Sequence, residues 1–303
     1  MDQIIDIATD GRHFSRDRGF LKVEENGVEV GRVPLDQITA VIVHAHGVTW
    51  TNSLLVELAD RGAMLVLCAA NHQPRALLWP LEGHHAQGAR MRAQWSAKAP
   101  MLKQAWKQVV CAKVRMQAAT LAAFGQSAAR LEQLSRQIKS GDSSNIEAQA
   151  ARHYWPLLMG ADFRRNPDIP DINALLNYGY TVLRAATSRA IVAAGLHPTI
   201  GLHHSNRGNA FALADDLMEP FRPLVDATAY NIARTEGTEV TPEAKQALVR
   251  LIALDLPLGG VTSPLSTAMG KLATSLALSF ENGRLDLALP LPPDPLTFAG
   301  LGK

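Results

Sequence analysis

Cysteine is nearly absent from this chain: 303 residues contain two, Cys68 and Cys111. Two thiols are too few for a Cys-built zinc centre, and each lies in or beside an apolar stretch, as buried thiols in a reducing cytoplasm do. Long hydrophobic runs are missing as well. Residues 63–70 form one of the longest, far short of the roughly 20 residues that a membrane-spanning helix needs. The N-terminal segment has no basic start followed by an apolar core, so a cytoplasmic location is expected rather than secretion. Net charge is close to nil, +2, and excludes no partner class until its distribution is known. No internal repeat or coiled-coil heptad is visible. Apolar substance is plentiful: 47% hydrophobic against 19% charged residues supports a sizeable core and argues against disorder. The length has room for two domains.

Residues 1–80 read as a β-rich domain with one small helix. "FLKVEENGVEVGRVPL" sets two β-rich runs either side of Asn26-Gly27, a pair that tolerates positive φ and marks a hairpin. "ITAVIVHAHGVTW" continues the β-branched pattern, residues 53–61 predict a short helix, and residues 64–68 predict a buried strand. Past a linker at 81–89 the character changes. Residues 90–139 are rich in Ala, Gln, Leu and Met, with Pro100 and Gly125 as the interruptions. Further helices are expected at 145–159, 171–195, 211–234, 242–253 and 265–280, with Thr241 as an N-cap and Pro242 at the first helical position. "LPLPPDPLTFAGLGK" reads as an extended, Pro-rich tail. The expected fold class is α+β, a small N-terminal β-rich domain followed by a larger all-helical domain at 90–303.

Acids are scarce where bases gather. Residues 90–139 hold ten Lys and Arg but one acid, Glu132, for a segment charge of +9. Such a stripe is either a polyanion-binding surface, with Lys103, Lys107 and Arg115 as candidates, or a solvated face balanced by acids elsewhere in the fold. The reverse occurs in "GLHHSNRGNAFALADDLMEP", residues 201–220, where three acids lie in an apolar run after two histidines. On one continuous helix Glu219 shares a face with Asp215 and with Asp216, and like charges at that spacing repel. Either these acids are solvated or a cation bridges them. Mg²⁺ and Mn²⁺ take carboxylate oxygens, and Mn²⁺ also accepts an imidazole, which His204 on the preceding loop can supply. Glu147, amid small and apolar residues in "NIEAQAARHYWPLL", is the candidate for a further carboxylate, with an ordinary exposed glutamate as the competing reading. His44, His46, His84 and His85 have no acid at metal-site spacing and read as ordinary histidines. "NYGY", residues 177–180, fits DNA contact or helix packing. Arg152, Arg164, Arg165, Arg189 and Arg207 are candidate phosphate contacts, with Arg207 first because it follows His204 by three residues.

Taken in order, "IEAQAARHYWPLL", "DINALLNYGYTVLRAATSRAIVAAGLHPTIGLHH" and "ALADDLMEPFRPLVD" resemble the CRISPR-associated adaptation integrase/endonuclease family, closest to its type II-like branch. "GFLKVEENGVEVGRVPLDQITAVIV" and "ADRGAMLVLCAANHQPRALLWPL" are similar to that family's β-domain. The resemblance implies a sandwich-like N-terminal domain at 1–80 that dimerises and a helical catalytic domain. It implies Glu147, His204 and Glu219 as catalytic residues and metal ligands, with Asp216 as an additional acid. Two histidines stand where the family has one, and register favours His204 over His203. It also implies Mg²⁺ or Mn²⁺ as cofactor and insertion of short foreign DNA fragments, spacers, into a CRISPR array. The fragment's 3′-hydroxyl would attack a phosphodiester at a repeat boundary. The competing readings are a structure-specific metal-dependent nuclease on branched DNA and a non-catalytic DNA-binding scaffold. The implied partners are double-stranded and branched DNA, a second copy of the chain, and a smaller CRISPR-associated adaptation protein in a heterohexamer, with no membrane.

Overall fold

The β-rich runs of the first 80 residues become strands β1 (Gln3–Ile7), β2 (Arg12–Asp17), β3 (Phe20–Glu25), β4 (Val28–Pro34), β5 (Ile38–Val43) and β6 (Thr49–Trp50). Helix α1 (Asn52–Asp60), β7 (Met64–Cys68) and β8 (Pro74–Leu78) follow. The computed structural model describes residues 3–69, 74–81, 83–204, 206 and 208–302. It divides into two units, residues 1–85 and 86–303. At the β3–β4 hairpin Asn26 and Gly27 take φ of 52° and 79°, the left-handed pair that a two-residue turn between twisted strands requires.

The first unit holds two four-stranded sheets, ordered β1-β5-β7-β8 and β4-β3-β2-β6. In the former, β1, β5 and β7 run parallel and β8 closes the edge antiparallel. All six residues of β5 are buried, the continuous apolar signature of a parallel strand covered on both faces. One core joins the two sheets and α1: Ile7, Phe14, Leu21, Val41, Val43 and Leu65 pack with Leu54 and Leu58. Phe14 stacks on Trp50 with ring centroids 4.8 Å apart. His44, read from the sequence as an ordinary histidine, is buried with Nε2 3.4 Å from Asp6 Oδ1 on the adjacent strand.

The second unit carries α2 (Gln87–Trp95), α3 (Ala99–Ala123), α4 (Ala129–Gln137), α5 (Ile146–Met159), α6 (Ile172–Ala193), α7 (Ala212–Met218), α8 (Arg222–Thr235) and α9 (Pro242–Arg250). Strands β9 (Asp255–Leu258) and β10 (Val261–Pro264), then α10 (Leu265–Asn282) and α11 (Pro295–Gly300), complete it. Most residues of α6 are buried, so it runs through the core of the bundle. Tyr178 and Tyr180 of the "NYGY" stretch are both buried, which makes them packing residues. Thr241 caps α9 as expected, its hydroxyl accepting the Ala244 amide at 3.2 Å.

Three expectations change. The run 211–234 is not one helix: Pro220 and Pro223 supply no amide donors, so α7 ends at Met218 and a single 3₁₀ turn, Glu219–Phe221, separates it from α8. The unit is not wholly helical either, because Gly259 and Gly260 close a two-stranded ribbon between β9 and β10. The tail expected to be extended contains α11. Asp294 caps it by accepting the amides of Leu296 and Thr297, and Pro295 suits its first turn. Both cysteines are free thiols. Among the described residues no helix is long and apolar enough to cross a membrane.

Candidate active site

Every side chain of the site belongs to the second unit. Helix α3 contributes Trp106 and Lys113, seven residues or two turns apart and therefore on one side of the helix. Helix α5 contributes Glu147 in its first turn. Asp142 holds that turn open, its two carboxylate oxygens accepting the amides of Ile146 (2.8 Å) and Glu147 (2.9 Å). The 3₁₀ turn after α7 contributes Glu219, and α8 contributes Arg222 at its first position. The histidine loop is pinned from behind by Gln94 of α2, whose side-chain amide donates to the carbonyls of His197 and Ile200 (2.9 and 2.8 Å) and accepts from the His197 amide (2.8 Å).

The proline break sends the three acids of 215–219 in three directions, so they do not share the single face expected of a continuous helix. Asp215 pairs with Arg184 Nε (2.7 Å) and accepts from Asn209 Nδ2 (2.8 Å). Asp216 is fully buried and turned towards the loop. Its Oδ2 accepts the amides of Leu202 (2.6 Å) and His203 (3.0 Å), and its Oδ1 lies 2.5 Å from His204 Nδ1. Gly201 makes this wrap fit, because a methyl group there would stand 2.5 Å from the His204 carbonyl oxygen and 2.9 Å from Asp216 Oδ2. Glu219, 3% exposed, meets Lys113 Nζ at 2.5 Å and Arg222 Nε at 2.9 Å.

Lys113 joins the acids that the sequence had only hinted at. Its ammonium donates to Glu147 Oε1 at 2.6 Å while touching Glu219 Oε2. The second contact, at 2.5 Å, is charge-assisted as well, so the ammonium bridges the two carboxylates. Burial pulls the Lys113 pKa down, but Glu219 and Glu147 outweigh it and the net shift is upward. Burial likewise pushes Glu219 up, and Arg222 and Lys113 reverse that into a lowered value. The hydrogen bond to Asp216 raises the His204 pKa against partial burial, with the nearby Asp216, Glu219 and Asp215 charges adding to the rise.

His203 and His204 are separated by their neighbours. The His203 ring lies parallel on the buried Trp106 ring, with centroids 4.6 Å apart and 1° between planes. His204 stands edge-on to the same tryptophan. Its Nδ1 is held by Asp216, which leaves Nε2 as the ring nitrogen turned to other work.

Among the described residues no three His, Cys, Asp or Glu side chains are drawn together as a ready metal cluster. The reason is visible: an ammonium stands between Glu147 and Glu219, and Asp216 spends its oxygens on the loop. The donor set still fits a hard divalent ion. Two carboxylates already converge on one cation, and an imidazole oriented by a buried carboxylate is the usual supporting arrangement of a metal-ligating histidine.

Behind Glu219 lies a second buried group that the sequence reading missed. Asp226 accepts hydrogen bonds from Tyr154 Oη (3.0 Å) and Tyr180 Oη, and Arg222 lies over the Tyr180 ring, 4.8 Å from its centroid. Burial pushes the Asp226 pKa up to about 7 in spite of the two phenols, Arg222 and Lys113. The folded protein therefore holds a proton there that the unfolded chain releases near its ordinary value of 3.8, and stability falls as pH rises through that window to about 7. Asp226→Asn removes the effect while keeping one acceptor and one donor for the phenols. The melting temperature of the variant relative to wild type should climb from pH 4 to about 7 and then level off. A flat or falling difference would contradict the assignment.

The candidate phosphate contacts scatter. Lys103 and Arg115 are exposed on α3 and Lys107 is half-buried there. Two of the ten bases in 90–139 face inward, Lys113 as described and Arg90, which is buried with Nε 3.3 Å from Glu281 and Nη1 donating to the Ala194 carbonyl. Arg164 is exposed, its guanidinium donating to the Ala161 and Phe163 carbonyls. Arg165 is tied to Asn173 and Asn177 and lies over Tyr180. Arg207 lies outside the described residues.

A family model, "CRISPR associated protein Cas1", matches residues 5–244. The chain is 37% identical over 251 residues to a CRISPR-associated endonuclease Cas1 from Neisseria meningitidis serogroup C (strain 8013), covering 81% of this chain and 82% of that one. The type II-like resemblance agrees with that relative. Among solved structures, a casposase bound to integration product is similar with a TM-score of 0.79 at 19% identity, over 95% of this chain and 93% of that one. A Cas6-RT-Cas1–Cas2 complex is similar with a TM-score of 0.75 at 19% identity, over 95% of this chain and 36% of that one. At such identities the structural matches speak for the fold, while the family model and the Neisseria relative speak for descent: this chain belongs to the CRISPR-associated Cas1 family.

Proposed function

We propose that this protein is a divalent-metal-dependent DNA endonuclease/integrase that joins short DNA fragments to a CRISPR array by transesterification. The observation that carries the reading is the convergence of Glu147 and Glu219 on one cation beside a histidine oriented by Asp216. Glu147, Glu219 and His204 Nε2 would hold Mg²⁺ or Mn²⁺, with Asp216 as the residue that fixes the imidazole rather than a ligand itself. Bound there, the ion neutralises charge gathering on the scissile phosphate and favours the ionised form of the attacking hydroxyl. In the reaction the fragment's 3′-oxygen forms a new bond to phosphorus, the bond to the outgoing 3′-oxygen breaks, and the proton lost by the one is regained by the other. Arg222 and Lys113 balance the carboxylates, so the site stays near neutral before the phosphate arrives. Two similar proteins support the reading: one is named an endonuclease, and the other is a casposase bound to integration product.

Strand transfer by purified protein, supplied with a smaller CRISPR-associated partner and a labelled fragment, tests the proposal. Joined product is expected with Mn²⁺ or Mg²⁺, from 3′-hydroxyl fragments and not from 3′-deoxy ones. Cleavage without joining would leave a nuclease, and DNA binding without either would leave a scaffold. That smaller partner and the heterohexamer are part of the proposal; the complex of Cas1 with Cas2 among the structural relatives supports them.

The DNA contacts rest on the outward bases of α3. Neutralising Lys103, Lys107 and Arg115 together should lower affinity for duplex or branched DNA and reduce the slope of log affinity against log salt by about 3, one for each phosphate that no longer meets a base. An unchanged slope would place the DNA elsewhere. We assign dimerisation to the first unit, whose edge strands leave Val28, Val30 and Leu78 exposed, together with Leu67 of β7. Light scattering should then give twice the 32.8 kDa chain mass; a monomer at micromolar concentration would refute it.

A further inference from the structure

The cation at the centre of the site belongs to the protein. Lys113 comes from the middle of α3, with its side chain only 12% exposed and its ammonium 2.6 Å from Glu147 Oε1 and 2.5 Å from Glu219 Oε2. Neither carboxylate needs it for want of any other neighbour, since Glu219 also has Arg222 and Glu147 is a quarter exposed. The placement has a cost: a buried lysine held by two acids gives up the solvation and freedom that its flexible stem would otherwise keep. That cost suggests a use.

We propose that Lys113 is a resident counter-cation that a divalent ion must displace, so that the site is closed to metal until the ammonium leaves. The inference rests on the reading of Glu147, His204 and Glu219 as ligands and adds what this chain's lysine does towards the ion. A Mg²⁺–oxygen bond is about 2.0–2.1 Å long, shorter than either nitrogen–oxygen contact made by Lys113. The two carboxylates therefore close inward when the ion takes the place of the ammonium, and both cannot fill it.

Formal charge points the same way. Glu147 and Glu219 against Lys113 and Arg222 sum to zero, so an added divalent ion leaves an excess of two positive charges among these side chains. A DNA phosphodiester removes part of that excess and offers the freed ammonium a new partner. Lys113 thus couples metal entry to the arrival of DNA: the ion binds weakly to the protein alone and more tightly when phosphate is present. In that state the lysine positions the phosphate and takes no proton in the reaction.

The test compares Mn²⁺ binding by calorimetry to the full-length, metal-stripped protein without DNA, for wild type, Lys113→Met and Lys113→Gln. With the competitor removed, the variants should bind Mn²⁺ about tenfold or more tightly than wild type. They should melt below wild type without metal and recover when Mn²⁺ is added. Equal or weaker Mn²⁺ binding by both variants overturns the proposal while leaving the metal site standing. Absence of Mn²⁺ binding in wild type and variants alike removes the metal site and the proposal with it. Wild-type protein gives a second readout that needs no variant to fold. Mn²⁺ should raise the rate at which an amine-acetylating reagent modifies Lys113, read by mass spectrometry against Lys107 as internal reference. A Lys113 rate that stays level or falls also overturns the proposal.

Discussion

Replacing His204 by alanine should reduce metal-dependent strand transfer at least about a hundredfold, while DNA affinity and melting temperature stay near wild type. The asymmetry follows from the loop. Asp216 keeps the amides of Leu202 and His203 when the imidazole is gone, so the buried carboxylate is not orphaned and the loop holds its path. What disappears is the imidazole whose Nδ1 Asp216 holds, and with it Nε2, the nitrogen proposed as a metal ligand. His203→Ala behaves differently. It removes a ring stacked on Trp106, an interaction worth about 0.5–1.5 kcal/mol, and leaves Glu147, Glu219 and His204 in place. That variant should retain most of its activity with a small loss of stability. If the two exchange behaviours, the ligand register is wrong by one residue; if neither loses activity, the histidine loop has no part in the chemistry.

Glu219→Gln should be the most damaging single change to the second unit. Two cations, Lys113 and Arg222, depend on that buried carboxylate, and Arg222 has it at 2.9 Å. Removing one member of a buried ion pair strands the other, at a cost of about 3–5 kcal/mol. For a unit of this size that is a fall of roughly 6–20 °C in melting temperature, together with loss of strand transfer. Its lowered pKa gives the loss a pH signature. The stability that the ionised Glu219 contributes is present above the ordinary carboxyl range and vanishes as pH falls through the lowered value in the folded protein. Wild type and Glu219→Gln should therefore converge in acid. Equal melting temperatures at neutral pH would contradict the ion-pair account.

Local chemistry was legible in the sequence. Asn26-Gly27 announced its hairpin, Thr241-Pro242 its helix start, and the apolar stretch 64–68 its buried strand, because each depends on neighbouring residues alone. The resemblance brought Glu147, His204 and Glu219 into view; the structure brings Glu147 and Glu219 to one ammonium and ties His204 to Asp216. Long-range pairing was what stayed hidden. Lys113 was one of ten bases in a stripe, and nothing in its vicinity says that it turns inward to meet Glu147, 34 residues on, or Glu219 beyond α7. Its spacing from Trp106 was the available signal: a large aromatic two turns away marks that side of α3 as the inner one. Pro220 and Pro223 were readable as a break, yet the apolar run around them looked continuous, and the consequence for the direction of Glu219 needs the fold. Asp226 gave no local sign, since its phenol partners come from two other helices.

A manganese anomalous difference map from crystals grown with Mn²⁺ puts the site itself to the test. The arrangement of side chains predicts one strong peak between the carboxylates of Glu147 and Glu219 and within bonding distance of His204 Nε2, with Lys113 moved out of that position. A peak at His203 or Asp215 instead, or none beside Glu147 and Glu219 at a saturating concentration of Mn²⁺, would contradict it.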